Sequence, residues 1–207
     1  VLSSPADKGT LGVQLWITKI HPYMTGKKDF FFKSTDLAVV FADPRRLIVC
    51  ITTKHFQLFI AVLHAPSWIN KNKHVASRWW DETEEILLKY PSGLMLIDGN
   101  ARLGTVQSTA VGACGAEEQN EAGDRFHKLL LALDLTLPAT FAVKGEQKSW
   151  THTNGLEHRI DYVALPRMWS QGVSNQLIDH EIDLLNKLDD HTPKGLSFGF
   201  ASRLRGS

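Results

Sequence analysis

Cysteine is scarce in this sequence, and long apolar runs are missing. The 207 residues include two cysteines, Cys50 and Cys114, which are too few for the disulfide framework of a small secreted domain and lack the paired spacing of a metal site. We therefore expect reduced thiols and an intracellular protein, with the nucleus as one candidate compartment. No stretch of 18 apolar residues and no internal repeat occurs, so the sequence predicts neither a transmembrane helix nor a membrane partner.

Glutamate is also missing from the first part of the chain, where the first example is Glu82. Residues 1–80 hold eleven Lys or Arg against four Asp, although the net charge of the whole chain is only +1. A basic surface of this kind attracts a polyanion such as a nucleic-acid backbone, and an ordinary solvated surface is the alternative. The basic segments are Lys27–Lys28, Arg45–Arg46 and Lys71–Arg78.

The chain contains enough apolar residues for one well-formed core. Hydrophobic residues make up 43% of the sequence and charged residues 22%, which at this length favours a single domain over residues 1–207, with its core at about residues 12–200. The first residue is Val1 rather than Met, and we expect a fragment or a processed product. We also expect a monomer.

Short apolar segments in the first third predict successive strands without intervening helices, and hence an antiparallel sheet. In the first of these segments Val13, Leu15 and Ile17 fall on one side. In the last, Pro66 stops the ladder and leaves His64 near the rim of the sheet. The predicted strands cover residues 12–20, 37–41, 47–52 and 57–64.

Two amphipathic helices are predicted from apolar residues at helical spacing. The first, at residues 76–90, should lie on the sheet with Trp79 and Trp80 as its core anchors. The second covers about residues 126–134 and ends before Pro138. Between the two helices, a polar loop at about residues 102–123 is longer than a compact domain usually contains without a use for it, such as a lid or a binding loop.

The segment Leu94 to Ala101, with the sequence L-M-L-I-D-G-N-A, predicts a buried strand that ends in two polar residues, Asp98 and Asn100. In an extended chain, residues two apart point the same way, so these side chains would project together, and Gly99 would allow a ligand to approach closely. A cation or phosphate site is one interpretation. An Asx-type turn that closes a core strand is the other.

A hairpin is predicted in the third quarter of the chain. Residues 149–153 and 158–165 flank Asn154–Gly155, a typical two-residue turn. Apolar residues fall on both faces of the second strand, so Asp161 in its middle should point into a covered layer. Because a bare buried carboxylate is costly, we expect Asp161 to be hydrogen-bonded, and a histidine is the natural partner.

The last part of the chain offers such a histidine. Asp189, Asp190 and His191 precede residues 195–200, which alternate like a strand. Residues 176–178 predict a further short strand. An acid and a histidine therefore stand side by side at the entrance to the final strand.

Taken together, four short motifs appear in a recognisable order: H-A-P after a strand, D-G-N-A at a strand end, H-R-I-D-Y-V in a strand, and D-D-H-T-P before the last strand. This series resembles the endonuclease/exonuclease/phosphatase superfamily, which contains pancreatic-type deoxyribonuclease, abasic-site endonucleases and the endonuclease domains of non-LTR retrotransposons. The resemblance runs from about residue 12 to residue 200. It implies an α/β (α+β) fold, a four-layer αββα sandwich of two mixed sheets with the active site at one rim.

The resemblance also implies a divalent metal, Mg²⁺ or Mn²⁺, at this rim. Asp98 would activate or position the attacking water, and Asn100 would hold a phosphate oxygen or a metal-bound water. Asp190 would ligate the metal directly or through water. Asp98, Asn100 and Asp190 are thus the implied metal-site residues, and hard oxygen ligands of this kind suit such ions.

Two histidines would act on the phosphate. By resemblance, His191 would contact the scissile phosphate, with Asp161 fixing its tautomer and raising its basicity. His64 would stabilise the phosphate oxygens. The implied catalytic set is therefore Asp98, Asn100, Asp161, His191 and His64.

The sequence departs from the family pattern in places. Gly99 stands where Phe or Trp is typical, and Asp189 stands where Ser is usual. The early Asn and the metal-binding Glu of the family are not located in this sequence, and residue 12 aligns with the strand that follows that Glu. The resemblance therefore implies an amino-terminal truncation with the first strands missing, and little or no activity from these 207 residues.

Three functions follow as alternatives. The first is a metal-dependent phosphodiester hydrolase, an endonuclease of retroelement type with DNA favoured over RNA, because of the basic front half and the long loop. The second is a phosphoesterase of the same superfamily that acts on a phospholipid or an inositol phosphate. The third is a non-catalytic remnant that folds or binds.

Overall fold

The computed structural model describes residues 1–6, 12–25, 28–91, 93–141, 148–178, 191 and 194–198. The strands are β1 (Leu2–Ser3), β2 (Gln14–Leu15), β3 (Leu37–Asp43), β4 (Arg46–Thr52), β5 (Gln57–His64), β6 (Leu94–Asp98), β7 (Leu135–Thr136), β8 (Trp150–Thr151), β9 (Glu157–His158), β10 (Asp161–Pro166), β11 (Val173–Ile178) and β12 (Lys194–Phe198). The α-helices are α1 (Lys73–Lys89) and α2 (Glu121–Ala132), and four short 3-10 helices cover Ser34–Asp36, Asn70–Asn72, Pro138–Thr140 and Arg167–Gly172. No helix in these ranges is long and apolar enough to cross a bilayer.

A six-stranded mixed sheet occupies the centre, in the order β3-β4-β5-β6-β10-β7. The strands β3, β4 and β5 are antiparallel, as the sequence predicts. The strands β5 and β6 are parallel, because α1 carries the chain back between them. The strand β10 is antiparallel to both β6 and β7.

One face of this sheet packs against both α-helices. The predicted anchors Trp79 and Trp80 are buried there, and their rings meet edge to face. Phe126 of α2 stacks on Trp80 and contacts the ring of Tyr162 on β10. Sheet residues that complete this core include Ile48, Ala61, Leu63, Met95, Ile97 and Ala164.

The opposite face of the sheet is covered by the amino-terminal segment. Leu15 is buried against it, and Val13 and Ile17 are partly buried beside Leu15. Sheet residues in this second core include Leu47, Val49, Ile51, Leu58 and Ile60. The sheet is therefore apolar on both faces, as the sandwich architecture requires.

The first predicted strand turns the predicted side, with Val13, Leu15 and Ile17, toward the core, but the strand is shorter than predicted. Within residues 12–20 only Gln14–Leu15 forms a strand, paired with β1. Trp16 and Ile20 are 73% and 80% exposed. Since β1 has only two residues, it offers too few partners for a longer ladder.

The second helix begins earlier than its apolar spacing predicts. It starts at Glu121 because Asn120 caps it, with its side chain accepting a hydrogen bond from the backbone N–H of Gly123. An asparagine followed by acidic residues is a typical helix start. The polar loop therefore ends at residue 120, three residues before the predicted boundary.

The predicted hairpin is confirmed, but its second strand is not continuous. Trp150 pairs with His158 across the turn, and Gly155 takes the positive φ of 82° that this turn needs. The chain leaves the hairpin after β9 and resumes as β10 in the central sheet. The predicted single strand at residues 158–165 is therefore wrong, and Arg159–Ile160 separates two strands of different sheets.

Candidate active site

The topology brings three predicted site residues into one row. The parallel strands β5 and β6 end at the same edge of the sheet, and the antiparallel β10 begins there. His64 is paired in register with Asp98, and Asp98 with Asp161. Because neighbours in register point to the same face, the three side chains lie side by side on one face.

The face that they share can be assigned from the alternation of each strand. Leu63 and Ile97 precede His64 and Asp98 and belong to the core under the helices. His64 and Asp98 therefore face the other way, together with Leu94 and Leu96. The row thus lies at the rim of the second core, away from α1 and α2.

His191 joins this row from the end of the chain. Its Nδ1 lies 3.0 Å from Oδ2 of Asp161, which is the histidine partner that the sequence predicts for this carboxylate. The backbone of His191 also forms an antiparallel bridge with Trp150. One ligand atom each from Asp98, Asp161 and His191 lies within 4.8 Å of the others. Asp190 lies outside the described residues, so its metal-ligand role remains a prediction.

Asp161 is held in place by backbone contacts on both sides of it. The hydroxyl of Ser149 accepts hydrogen bonds from the backbone N–H groups of Ile160 and Asp161, both at 3.0 Å. Just before them, the backbone N–H of Arg159 donates to Glu117 at 2.6 Å. On the other side, the carbonyl of Ile160 accepts the N–H of Gly99. These bonds bend the chain out of the hairpin and deliver Asp161 beside the end of β6.

The surroundings of Asp98 disfavour the ionised form of its carboxyl group. Burial, followed by repulsion from the nearby carboxylate of Asp161, raises the pKa of Asp98 from its ordinary 3.8 to about 6. A hydrogen bond from the backbone N–H of Asn100 and the positive charges of His191 and Arg45 act in the opposite direction. A carboxyl group with a pKa close to neutrality is suited to proton transfer.

His64 lies beside Asp98 but is not ion-paired with it. Its Nε2 is 3.7 Å from Oδ2 of Asp98, which is too long for a hydrogen bond. Burial, and then the charges of Arg45 and His191, lower the pKa of His64. The imidazole is therefore neutral at pH 7, with one N–H that it can donate.

Asn100 does not project beside Asp98 as an extended chain would place it. Asn100 has a positive φ of 45°, so the extended-chain argument is wrong here. Its backbone N–H donates to Oδ1 of Asp98 at 3.1 Å, which is the Asx-type turn. Its side-chain N–H donates to the carbonyl of Ala65 at 2.8 Å. The amide oxygen of Asn100 is then the atom left for a ligand, and its predicted role remains a prediction.

The donor chemistry of this cluster fits a divalent cation. Two carboxylates and an imidazole are ligands that Mn²⁺ accepts, and Mg²⁺ is usually held by one or two carboxylates with several waters. A cation would also relieve the repulsion between Asp98 and Asp161. Within the described residues, the cluster includes no glutamate.

Arg45 is a member of this site that the motifs do not single out. The sequence assigns it only to a basic patch together with Arg46. In the structure its Nη1 donates to the carbonyl of His64 at 3.2 Å, and its charge acts on both His64 and Asp98. The signal in the sequence is its position directly before a strand that runs antiparallel to the one ending in His64.

Comparison with known proteins rests on structure rather than sequence. No protein-family model matches this chain, and no curated protein matches it. The 3′ phosphatase NExo from Neisseria, bound to product DNA hairpin, is 15% identical and superposes with a TM-score of 0.57 over 80% of this chain and 71% of that one. The endonuclease domain of TRAS1, a telomere-specific non-LTR retrotransposon, is 16% identical with a TM-score of 0.55 over 85% and 73% of the two chains.

A third solved structure is similar to this chain to about the same degree. An AP endonuclease from Archaeoglobus fulgidus is 13% identical and has a TM-score of 0.53 over 80% of this chain and 71% of that one. Identities this low show a common fold and no more. This chain therefore has the DNase I-like fold of these solved structures.

Proposed function

We propose that this chain is a metal-dependent phosphodiester hydrolase that acts on nucleic acid. The observation that carries the proposal is the convergence of Asp98, Asp161 and His191, whose ligand atoms lie within 4.8 Å of one another, in a row with His64. These side chains come from three strands and from a segment near the end of the chain. A purely structural ion pair would not need two adjacent carboxylates, because their repulsion costs stability.

The residues divide the chemistry of hydrolysis among them. Asp98, with a pKa of about 6, is mostly ionised at neutral pH and can accept a proton from the attacking water. The Nδ1–H of His191 donates to Asp161. With a proton on Nε2 as well, the same imidazole would donate to a phosphate oxygen. The neutral His64 donates one N–H to the same group.

A divalent cation held by Asp98 and Asp161 would supply neutralisation of the negative charge that develops on phosphorus-bound oxygens. His191 and Asp190 are further candidates to hold it. Mg²⁺ and Mn²⁺ are the ions that we propose. Since the cluster of described residues includes no glutamate, we expect weak binding of Mg²⁺ and slow turnover.

The finer proposal is an endonuclease of retroelement type that cleaves DNA in preference to RNA. It is supported by the structural similarity to the TRAS1 endonuclease domain over 85% of this chain and by the basic first part of the sequence. The DNA hairpin bound by the NExo phosphatase supports DNA as the substrate class. We also propose that the enzyme acts as a monomer inside the cell, with the nucleus as one candidate compartment.

The test is a nicking assay on supercoiled plasmid with the 207-residue chain in Mg²⁺ and in Mn²⁺. We expect slow, metal-dependent conversion to the open circle. Asp161→Asn should reduce the rate by about 100-fold or more, because His191 loses the carboxylate that orients it. Asp134→Asn is a matched control, since Asp134 forms an exposed ion pair with Arg167 and its positive φ of 50° suits asparagine.

Two results would contradict the proposal. Nicking that is equal in wild type and Asp161→Asn would assign the activity to another site or another protein. Release of inorganic phosphate from an inositol phosphate, without any nicking in either metal, would favour the phosphoesterase alternative.

A further inference from the structure

Arg45 and Arg46 are adjacent in sequence but have different surroundings. Arg46 is 8% exposed, and its guanidinium contacts Oδ2 of Asp43 at 2.6 Å and Oε2 of Glu82 at 3.3 Å. It also donates to the hydroxyl of Thr83 on α1. These bonds occupy all three of its nitrogens, so Arg46 is a structural residue of the helix-covered face.

Arg45 is the turn residue directly before β4, so its place is set by its contacts with His64. Arg46 is paired in register with Leu63, and the backbone N–H of His64 donates to the carbonyl of Arg45 at 2.9 Å. Arg45 therefore stands next to His64 as Arg46 stands next to Leu63. The row at the rim is thus four residues wide, with Arg45 first, then His64, Asp98 and Asp161.

The guanidinium of Arg45 is positioned by the described residues, and Asp98 and Asp43 attract it only from beyond ion-pair distance. One of its nitrogens donates to the carbonyl of His64 at 3.2 Å. The backbone N–H of Arg45 donates to Oδ1 of Asp43 at 2.9 Å, which fixes the turn before β4. Within the described ranges, no carboxylate lies within 4 Å of this guanidinium, whereas Arg46 has two.

A phosphate group entering this rim needs a cation on the side of His64. Asp98 and Asp161 are acidic and would repel a phosphate group at their end of the row. Among the described residues of the row, Arg45 is the arginine that stands beside His64 at the other end, with its Nη1 3.2 Å from the carbonyl oxygen of His64. An arginine fork offers parallel N–H donors that match two oxygens of one phosphate.

We propose that Arg45 is the phosphate-binding residue of this site, and that its guanidinium holds the non-bridging oxygens of a nucleic-acid backbone phosphate beside His64 and Asp98. The proposal rests on the proposed function and adds to it the group that binds the substrate. Arg45 acts in binding rather than in proton transfer, so its contribution is measurable without turnover.

The experiment measures binding of a short fluorescein-labelled DNA duplex by anisotropy in EDTA, at several KCl concentrations between about 50 and 200 mM. We expect Arg45→Gln to bind about ten-fold more weakly than wild type, and to lower the slope of log K against log salt by about 0.9, the value for one phosphate contact. Arg45→Lys should keep the slope but lose part of the affinity, because a lysine contacts phosphate as a point charge. Arg167→Gln is the matched control, since Arg167 follows the end of β10 that is remote from the site and forms an exposed ion pair with Asp134, with its side chain 53% exposed.

Each outcome has a defined meaning. If Arg45→Gln binds with the affinity and slope of wild type while circular dichroism shows it folded, the assignment of Arg45 is overturned and the proposed function stands. A wild type that binds, a weakened Arg45→Gln, and no nicking by either would support Arg45 and overturn the hydrolase. Failure of the wild type to bind the duplex at all would overturn the assignment of Arg45, and the nicking assay in Mg²⁺ and Mn²⁺ would decide the proposed function separately.

Discussion

The raised pKa of Asp98 predicts that replacing this residue stabilises the fold while it abolishes the activity. Asp98→Asn keeps the shape of the side chain, and the amide oxygen can still accept the N–H of Asn100. The substitution removes a buried negative charge that lies next to Asp161. A gain in stability on loss of a catalytic group is typical of active sites, which hold groups in unfavourable surroundings.

The magnitude follows from the pKa and the linkage between proton binding and folding. A carboxyl whose pKa is about 6 in the folded state and 3.8 in the unfolded state binds more protons when folded, so the folded state loses stability as the pH rises between these values. At about 1.4 kcal/mol per pH unit, the full loss above pH 6 is roughly 3 kcal/mol. With its side chain 23% exposed, Asp98 is sufficiently buried for most of this energy to apply.

The assay is urea unfolding followed by tryptophan fluorescence, in EDTA, at pH 8 and at pH 4.5. We expect the gain in unfolding free energy from Asp98→Asn to be about 2 kcal/mol larger at pH 8 than at pH 4.5, because the wild-type carboxyl is protonated in the folded state at the lower pH. Comparing the two pH values cancels any effect of the amide that does not depend on protonation. Glu85→Gln, on the exposed side of α1, is the control for removal of one negative charge. A gain that does not change with pH, or that is larger at pH 4.5, would refute the reasoning.

Three further predictions concern the site and the elements that position it. At a Mn²⁺ concentration that does not saturate the site, the nicking rate should rise with pH and level off above about 6, because protons compete with the cation for Asp98; a rate that falls over this range would contradict that role. Tyr162→Phe should lower the unfolding free energy by about 1–2 kcal/mol, measured by urea unfolding, because the buried hydroxyl lies 2.8 and 2.6 Å from two backbone carbonyls. Gly123→Ala should also destabilise, by about 1–3 kcal/mol, because a Cβ at this position would lie 2.1 Å from the carbonyl of Arg102; helix propensity alone predicts a gain of up to about 1 kcal/mol, so thermal unfolding decides the sign.

The central sheet could be predicted from the sequence because each of its strands is apolar over several residues. The prediction for β5 has the same bounds as the strand in the structure, residues 57–64. The strand β7 was missed, since Leu135–Thr136 is only two residues long and forms by pairing with the end of β10. A pairing of this kind depends on distant residues and leaves no local pattern.

The motifs and the expected burial of side chains predicted part of the site from the sequence. The requirement that a buried carboxylate be hydrogen-bonded predicts a histidine partner for Asp161, and the structure provides His191 at 3.0 Å. The conformation of Asn100 could not be predicted, because the positive φ of 45° follows from the turn rather than from the strand before it. The place of Arg45 beside His64 depends on how β4 and β5 pair. The local sequence around Arg45 or His64 does not encode that pairing.

The measurement that tests the central claim most directly is the binding of Mn²⁺, followed through the electron paramagnetic resonance signal of the free ion at about pH 7.5. The account predicts one site in the wild type, with affinity reduced at least about ten-fold in Asp98→Asn and in Asp161→Asn, and unchanged in Asp134→Asn. Equal Mn²⁺ binding by the wild type and by both site variants would contradict the claim that these carboxylates form a common metal site.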